Sequence, residues 1–128
     1  MNIEWITQEK TSNAVTIYNN NITFNKQATN YLVDAYGIAV GFDRQDKKII
    51  IKKVSKEEVD NKIFKKEDIY MLTIKPSFGR INNKKLIEKL TNYLEFDFSK
   101  HTSYKYSATY NTGNKMLIVD TKEESLND

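Results

Sequence analysis

Two stretches, AYGIAVGFDRQDKKIIIKKV at residues 35–54 and SYKYSATYNTGNKMLIVDT at residues 103–121, decide the fold. Each alternates apolar and polar residues, breaks at a short polar run, and returns as a β-branched or apolar run. That is the pattern of a β-hairpin with one face in a core. In the first, Ile38, Val40 and Phe42 share a face, Asp43 to Lys47 makes the turn, and Ile49-Ile50-Ile51 returns. In the second, Tyr104, Tyr106, Ala108 and Tyr110 share a face, with Lys105, Ser107 and Thr109 on the other. Its turn is Asn111-Thr112-Gly113-Asn114, where Gly113 is the residue expected to take positive φ. Met116 to Val119 is the returning strand.

Working outward, each hairpin follows a similar segment: ITFNKQATNYL at 22–32 and RINNKKLIEKL at 80–90. Both read as a short extended piece, an Asn-Lys pair (Asn25-Lys26, Asn83-Lys84) and a short helix with leucine six residues past the lysine. In the second helix Leu86, Leu90, Tyr93 and Leu94 form an apolar stripe; in the first, Ala28, Tyr31, Leu32 and Ala35 do so. Ala14 to Tyr18 and Ile69 to Ile74 are further strand candidates, the latter stopped by Pro76, the only proline. Between them, Ser55 and Glu58 have capping-box spacing, which predicts a helical turn. The chain reads as one α+β domain over 1–121, strand-rich with two short amphipathic helices. It holds two β-α-β-β units, about 14–54 and 69–121, joined by a charged connector 55–68 and followed by a polar tail 122–128.

Composition narrows the function classes. At 128 residues the chain is one domain's worth. Without cysteine there is no disulfide framework, thiolate metal site or cysteine nucleophile. One histidine, His101, sits in a polar loop and reads as a surface residue, so histidine-based acid–base chemistry has no partner set. Glu57-Glu58 and Glu123-Glu124 read as solvated charge, and no phosphate-loop, zincin or nucleophile-elbow motif is present. The expectation is no enzyme, no metal and no cofactor. Without a signal peptide pattern or a long apolar run, the expected setting is cytoplasmic, with no membrane partner.

The formal charge is +3, but it is unevenly placed. Arg44 to Lys89 carries 14 Lys+Arg against 7 Asp+Glu, and the last eight residues carry a net −2. Such asymmetry suits an anionic partner, with double-stranded DNA the first candidate. The opposing consideration is that a Lys-, Asn- and Ile-rich chain has lysine everywhere, and only two of 20 basic residues are arginine.

Together these segments resemble the AbrB/MazE/MraZ swapped-hairpin barrel family, with tandem, degenerate units. Its unit runs Gly-Arg-apolar-x-apolar-Pro, then a short helix ending in leucine, then two strands about an acidic turn. Gly79-Arg80-Ile81 is similar to the start, and Lys84 to Leu90 to the helix. Here Asn25 and Asn83 replace the proline, Asn20-Asn21 replaces the first Gly-Arg, and the connection Glu95 to Thr102 is longer. The resemblance implies a small barrel-like pseudo-dimer in one chain, or a homodimer, acting as a bacterial DNA-binding transcriptional regulator or antitoxin.

The expected nucleic-acid-binding residues are Arg80, Lys84, Lys85, Lys26, Arg44, Lys47 and Lys48. Arg80 offers a flat five-donor group beside Phe78. Lys84, Lys85 and Lys26 sit at helix starts, and Lys47, Lys48, Lys52 and Lys53 bracket a hairpin arm. The plainer reading makes these solvated or edge-protecting lysines, and makes Tyr104, Tyr106 and Tyr110 a packed face rather than a base-stacking platform. The alternative function is a protein-interaction module, an accessory protein of a phage or mobile element that binds a protein by strand addition.

Overall fold

The computed structural model describes residues 1–6, 12–122 and 124. Eight antiparallel strands form one curled sheet: β1 Asn13–Tyr18, β2 Asn21–Asn25, β3 Gly37–Asp43, β4 Lys48–Val54, β5 Thr73–Ile74, β6 Phe78–Asn82, β7 Ser103–Asn111 and β8 Met116–Asp120. Their order is β3-β4-β8-β7-β1-β2-β6-β5. The curl brings the β3 end of the sheet to the residues just before β5, where Ile38 and Tyr70 exchange two backbone hydrogen bonds of 2.9 and 2.7 Å.

Strand alternation builds the core. Val15 and Ile17, Ile22 and Phe24, Ile49 and Ile51, and Leu117 and Val119 are wholly buried, and the residues between them are not. Against this surface pack Ala28 of α1 (Lys26–Asn30) and Leu86, Ile87 and Leu90 of α3 (Lys84–Leu90), joined by Leu32. The helix starts are set by side chains: Asn25 Oδ1 accepts from the Ala28 N–H at 3.0 Å and Asn83 Oδ1 from the Leu86 N–H at 2.9 Å.

The expected element order is found, with corrections. Among the described residues there are three short α-helices rather than two: the capping box Ser55–Glu58 starts α2 (Lys56–Asp60), which buries no residue, and a 3-10 turn Lys66–Asp68 follows. Of the strand expected over Ile69–Ile74 only Thr73–Ile74 pairs, beyond the Tyr70 bridge. The apolar stripe on α3 includes Ile87, and the helix ends before Tyr93, which is 44% exposed. Gly113 does not take positive φ; Lys115 does, at 55°, as Lys47 does at 52° in the first hairpin. Both turns place their left-handed residue last, just before the returning strand.

The tyrosine stripe is a packed face. Tyr106 is buried, Tyr110 stacks on Tyr31 at 4.3 Å, and Tyr104 packs among Phe96, Phe98 and His101. The Tyr104 hydroxyl accepts from the Asp97 N–H at 2.8 Å, which organises the long connection before β7. Burial pushes the Tyr106 phenol up to about 12. Among the described residues no helix is long and apolar enough to cross a membrane. Of the tail 122–128, residues 123 and 125–128 lie outside the described residues.

Candidate nucleic-acid interface

The β2·β6 ladder divides its side chains cleanly. Ile22, Phe24, Gly79 and Ile81 face the core, leaving Asn21, Thr23, Asn25, Phe78, Arg80 and Asn82 on the opposite face. Registers extend that outer face into a row across five strands: Thr73 beside Arg80, Arg80 beside Thr23, Thr23 beside Thr16, and Thr16 beside Lys105. No carboxylate stands in this row or at the neighbouring outer positions Tyr18, Asn21, Asn25, Phe78, Asn82, Ser103 and Ser107.

Arg80 is held at the centre. Its Nε–H donates to Thr23 Oγ1 at 3.1 Å, Thr23 Oγ1 donates to Asn21 Oδ1 at 2.7 Å, and Asn21 Nδ2 donates to Asn20 Oδ1 at 2.8 Å. The guanidinium carbon lies 4.7 Å from the Phe78 ring centroid. This fixes the plane through one donor, and among the described residues the four terminal N–H groups have no hydrogen-bond partner. Lys26 follows the Asn25 end of the ladder, opposite Phe78; Lys84 and Lys85 follow the Asn82 end, where the Asn83 N–H bonds the Asn20 carbonyl at 3.0 Å. Arg80, Lys26, Lys84, Lys85 and Lys105 make no ion pair among the described residues.

The other expected residues lie elsewhere. Arg44, Lys47 and Lys48 belong to the β3–β4 hairpin, with β8, β7 and β1 between β4 and β2. Arg44 sits 4.9 Å over the Tyr93 ring. Lys48 is flanked in register by Asp43 and Asp120, a poor setting for a phosphate. Lys52 pairs with Glu58 at 3.5 Å and Lys53 with Asp34, and that contact holds the Asp34 carboxyl below its usual range. Because β4 pairs on both sides, these lysines protect no edge, contrary to the edge reading.

Sequence reasoning passed over Lys105, Thr16 and Thr23 as site residues. Alternation put Lys105 on the face away from the tyrosines, but its alignment with Arg80 comes from the register of four strands. Among the described residues no group of three or more His, Asp or Glu gathers to hold a metal. Comparison with family models, curated proteins and solved structures finds no match.

Proposed function

We propose that this chain is a small DNA-binding regulator whose β2·β6 face tracks the phosphate backbone of a duplex. The observation that carries the reading is the carboxylate-free outer face centred on Arg80 and Thr23, with lysines beyond both ends of its ladder. Arg80 supplies planar donors to phosphate; Lys26, Lys84, Lys85 and Lys105 supply charge, and the Asn and Thr side chains neutral donors.

The same reading takes the chain as two β-α-β-β units paired into a barrel-like pseudo-dimer, as in the AbrB/MazE/MraZ family it resembles. Supporting it, strands in corresponding positions pair with each other, β2 with β6 and β4 with β8, both antiparallel. Moving along the chain from Lys47 to Lys115 carries the pair Val40–Ile51 onto Ala108–Val119, and Phe42–Ile49 onto Tyr110–Leu117. Antiparallel pairing of like with like is the geometry of a two-fold axis, here passing Thr23–Arg80 and Ile50–Ile118.

The test is fluorescence anisotropy with a mixed-sequence duplex and with a single strand, titrated in salt. Phosphate tracking gives duplex binding whose log K falls with log salt by about 0.9 per phosphate contact. No binding to either at low salt overturns the reading. A protein-binding accessory module is the second reading, favoured by the outer edge of β3, which beyond the Ile38–Tyr70 bridge has no strand partner among the described residues.

A further inference from the structure

The edge of β3 is open where the matching edge of β7 is filled. β7 is paired along six residues by β1, Asn13–Tyr18 against Ser103–Ala108. Among the described residues β3 has on that side only the Ile38–Tyr70 bridge. In an antiparallel strand alternate residues turn their N–H and C=O groups the same way. Val40 and Phe42 therefore aim theirs where Ile38 does, and neither has a backbone partner there among the described residues. Beside this edge runs a slot of about 340 Å³, walled by Phe42, Leu86, Leu90 and Tyr93 and bordered by Glu67, Asp68 and Lys89. Phe42 and Tyr93 stack at 5.1 Å, so one wall is aromatic.

The chain also carries a segment with the complementary chemistry. In Met1–Ile6, MNIEWI, apolar Ile3 and Trp5 alternate with Asn2 and Glu4, the period of a half-buried strand. It is exposed: Ile3 is 56%, Trp5 81% and Ile6 100% exposed. A buried indole needs an aromatic or apolar seat and one acceptor for its N–H. The slot offers both, the acceptor being Glu67 or Asp68. The arm is exposed and the slot beside β3 is open, so a second copy of the chain can supply the arm.

We propose that the slot along β3 takes the Met1–Ile6 arm of a second copy of this chain by strand addition, with Trp5 seated between Tyr93 and Leu90. Reciprocal exchange of arms closes a two-fold dimer. Trp5 is the only tryptophan, so its emission reports the seat directly. Sedimentation velocity and Trp5 emission are followed together over several decades of protein concentration. The expected result is a monomer–dimer transition with a parallel blue shift, and loss of the dimer in Trp5→Ala, a change at an exposed position that leaves the fold intact. Because the chain lacks cysteine, a Trp5→Cys chain mixed with a mass-tagged Tyr93→Cys chain, with diamide added as the two-electron oxidant, is expected to form a disulfide between the two. A monomer at all concentrations overturns the proposal. So does a dimer that survives Trp5→Ala, or a Trp5→Cys/Tyr93→Cys double variant that links only within one chain.

Discussion

Thr29 occupies the space that a side chain at residue 79 would need: a Cβ on Gly79 would lie 2.8 Å from both Oγ1 and Cγ2 of Thr29. Thr29 cannot swing away, because it is buried and its hydroxyl bonds the carbonyls of Phe24 at 3.1 Å and Asn25 at 2.8 Å. This contact lets α1 lie close on the β2·β6 ladder beneath Arg80. Gly79→Ala is expected to cost about 1–3 kcal/mol of stability through overpacking. Urea unfolding measures it. Thr29→Ala should recover part of the loss in the double variant, so the two changes will not add.

The two asparagine caps give a graded prediction. Asn83→Ala removes one acceptor at the start of α3, whose Leu86, Ile87 and Leu90 are buried, and should cost about 1 kcal/mol. Asn25→Ala should cost more, because Asn25 Nδ2 also donates to the Ser12 carbonyl at 2.8 Å and ties down the start of β1. Equal losses in denaturant midpoint would show that this second bond contributes nothing.

Much of this architecture was legible in the sequence. Period-2 alternation at 38–42 and 104–110 announced both hairpins, and Asn25 and Asn83 marked both helix starts. What stayed hidden depends on register. Nothing local in FGRIN says that Arg80 will lie beside Thr23 rather than one residue along, yet that choice sets the whole outer row. The same limit explains the lysines. In the sequence they form one basic run with the other lysines, but the hairpin lysines meet Asp43, Asp120, Asp34 and Glu58 only in the folded sheet. The left-handed residue of the second turn is Lys115 rather than Gly113: glycine is the most permissive residue of that turn, but the strand pairing puts positive φ on Lys115.

Tyr106 makes stability fall in alkali. Its phenol is pushed up to about 12 by burial, above the usual value of 10. Below pH 10 both folded and unfolded chains keep the proton, so this group contributes its full stabilisation. Between pH 10 and about 12 the unfolded chain releases it first, and stability declines. Tyr106→Phe should flatten that part of the decline. The comparison is thermal unfolding of the two proteins from pH 9 to pH 12; parallel curves would exclude Tyr106 as a cause.

If the outer face of β2·β6 tracks phosphate, Arg80→Ala should weaken duplex binding by about 1.5–3 kcal/mol, on the order of 10- to 150-fold. The salt slope should fall by about one. Folding stability should change little, since the side chain is partly exposed and makes one hydrogen bond among the described residues. Lys48→Ala is the control: flanked by Asp43 and Asp120, it should leave affinity unchanged. Similar losses in both variants would mean that bulk charge, not this face, sets the affinity.

Three lysines hold left-handed backbone, at φ 52° for Lys47, 62° for Lys62 and 55° for Lys115. That conformation costs a residue with a Cβ about 1–2 kcal/mol, which glycine avoids while losing about 0.5–1 kcal/mol of unfolded-state freedom. Lys47→Gly and Lys115→Gly are therefore each expected to stabilise by about 0.5–1 kcal/mol, because each closes a hairpin whose strands carry the core. Lys62 differs. It follows α2, where the Ile63 N–H bonds the Glu58 carbonyl at 2.9 Å and the Lys62 N–H the Val59 carbonyl at 3.0 Å, a glycine-favouring helix end. Since α2 buries no residue, its opening is local. Lys62→Gly should slow amide exchange within 56–63 while leaving the global unfolding midpoint in place. A midpoint that rises as much as for Lys47→Gly would mean that α2 unfolds together with the sheet.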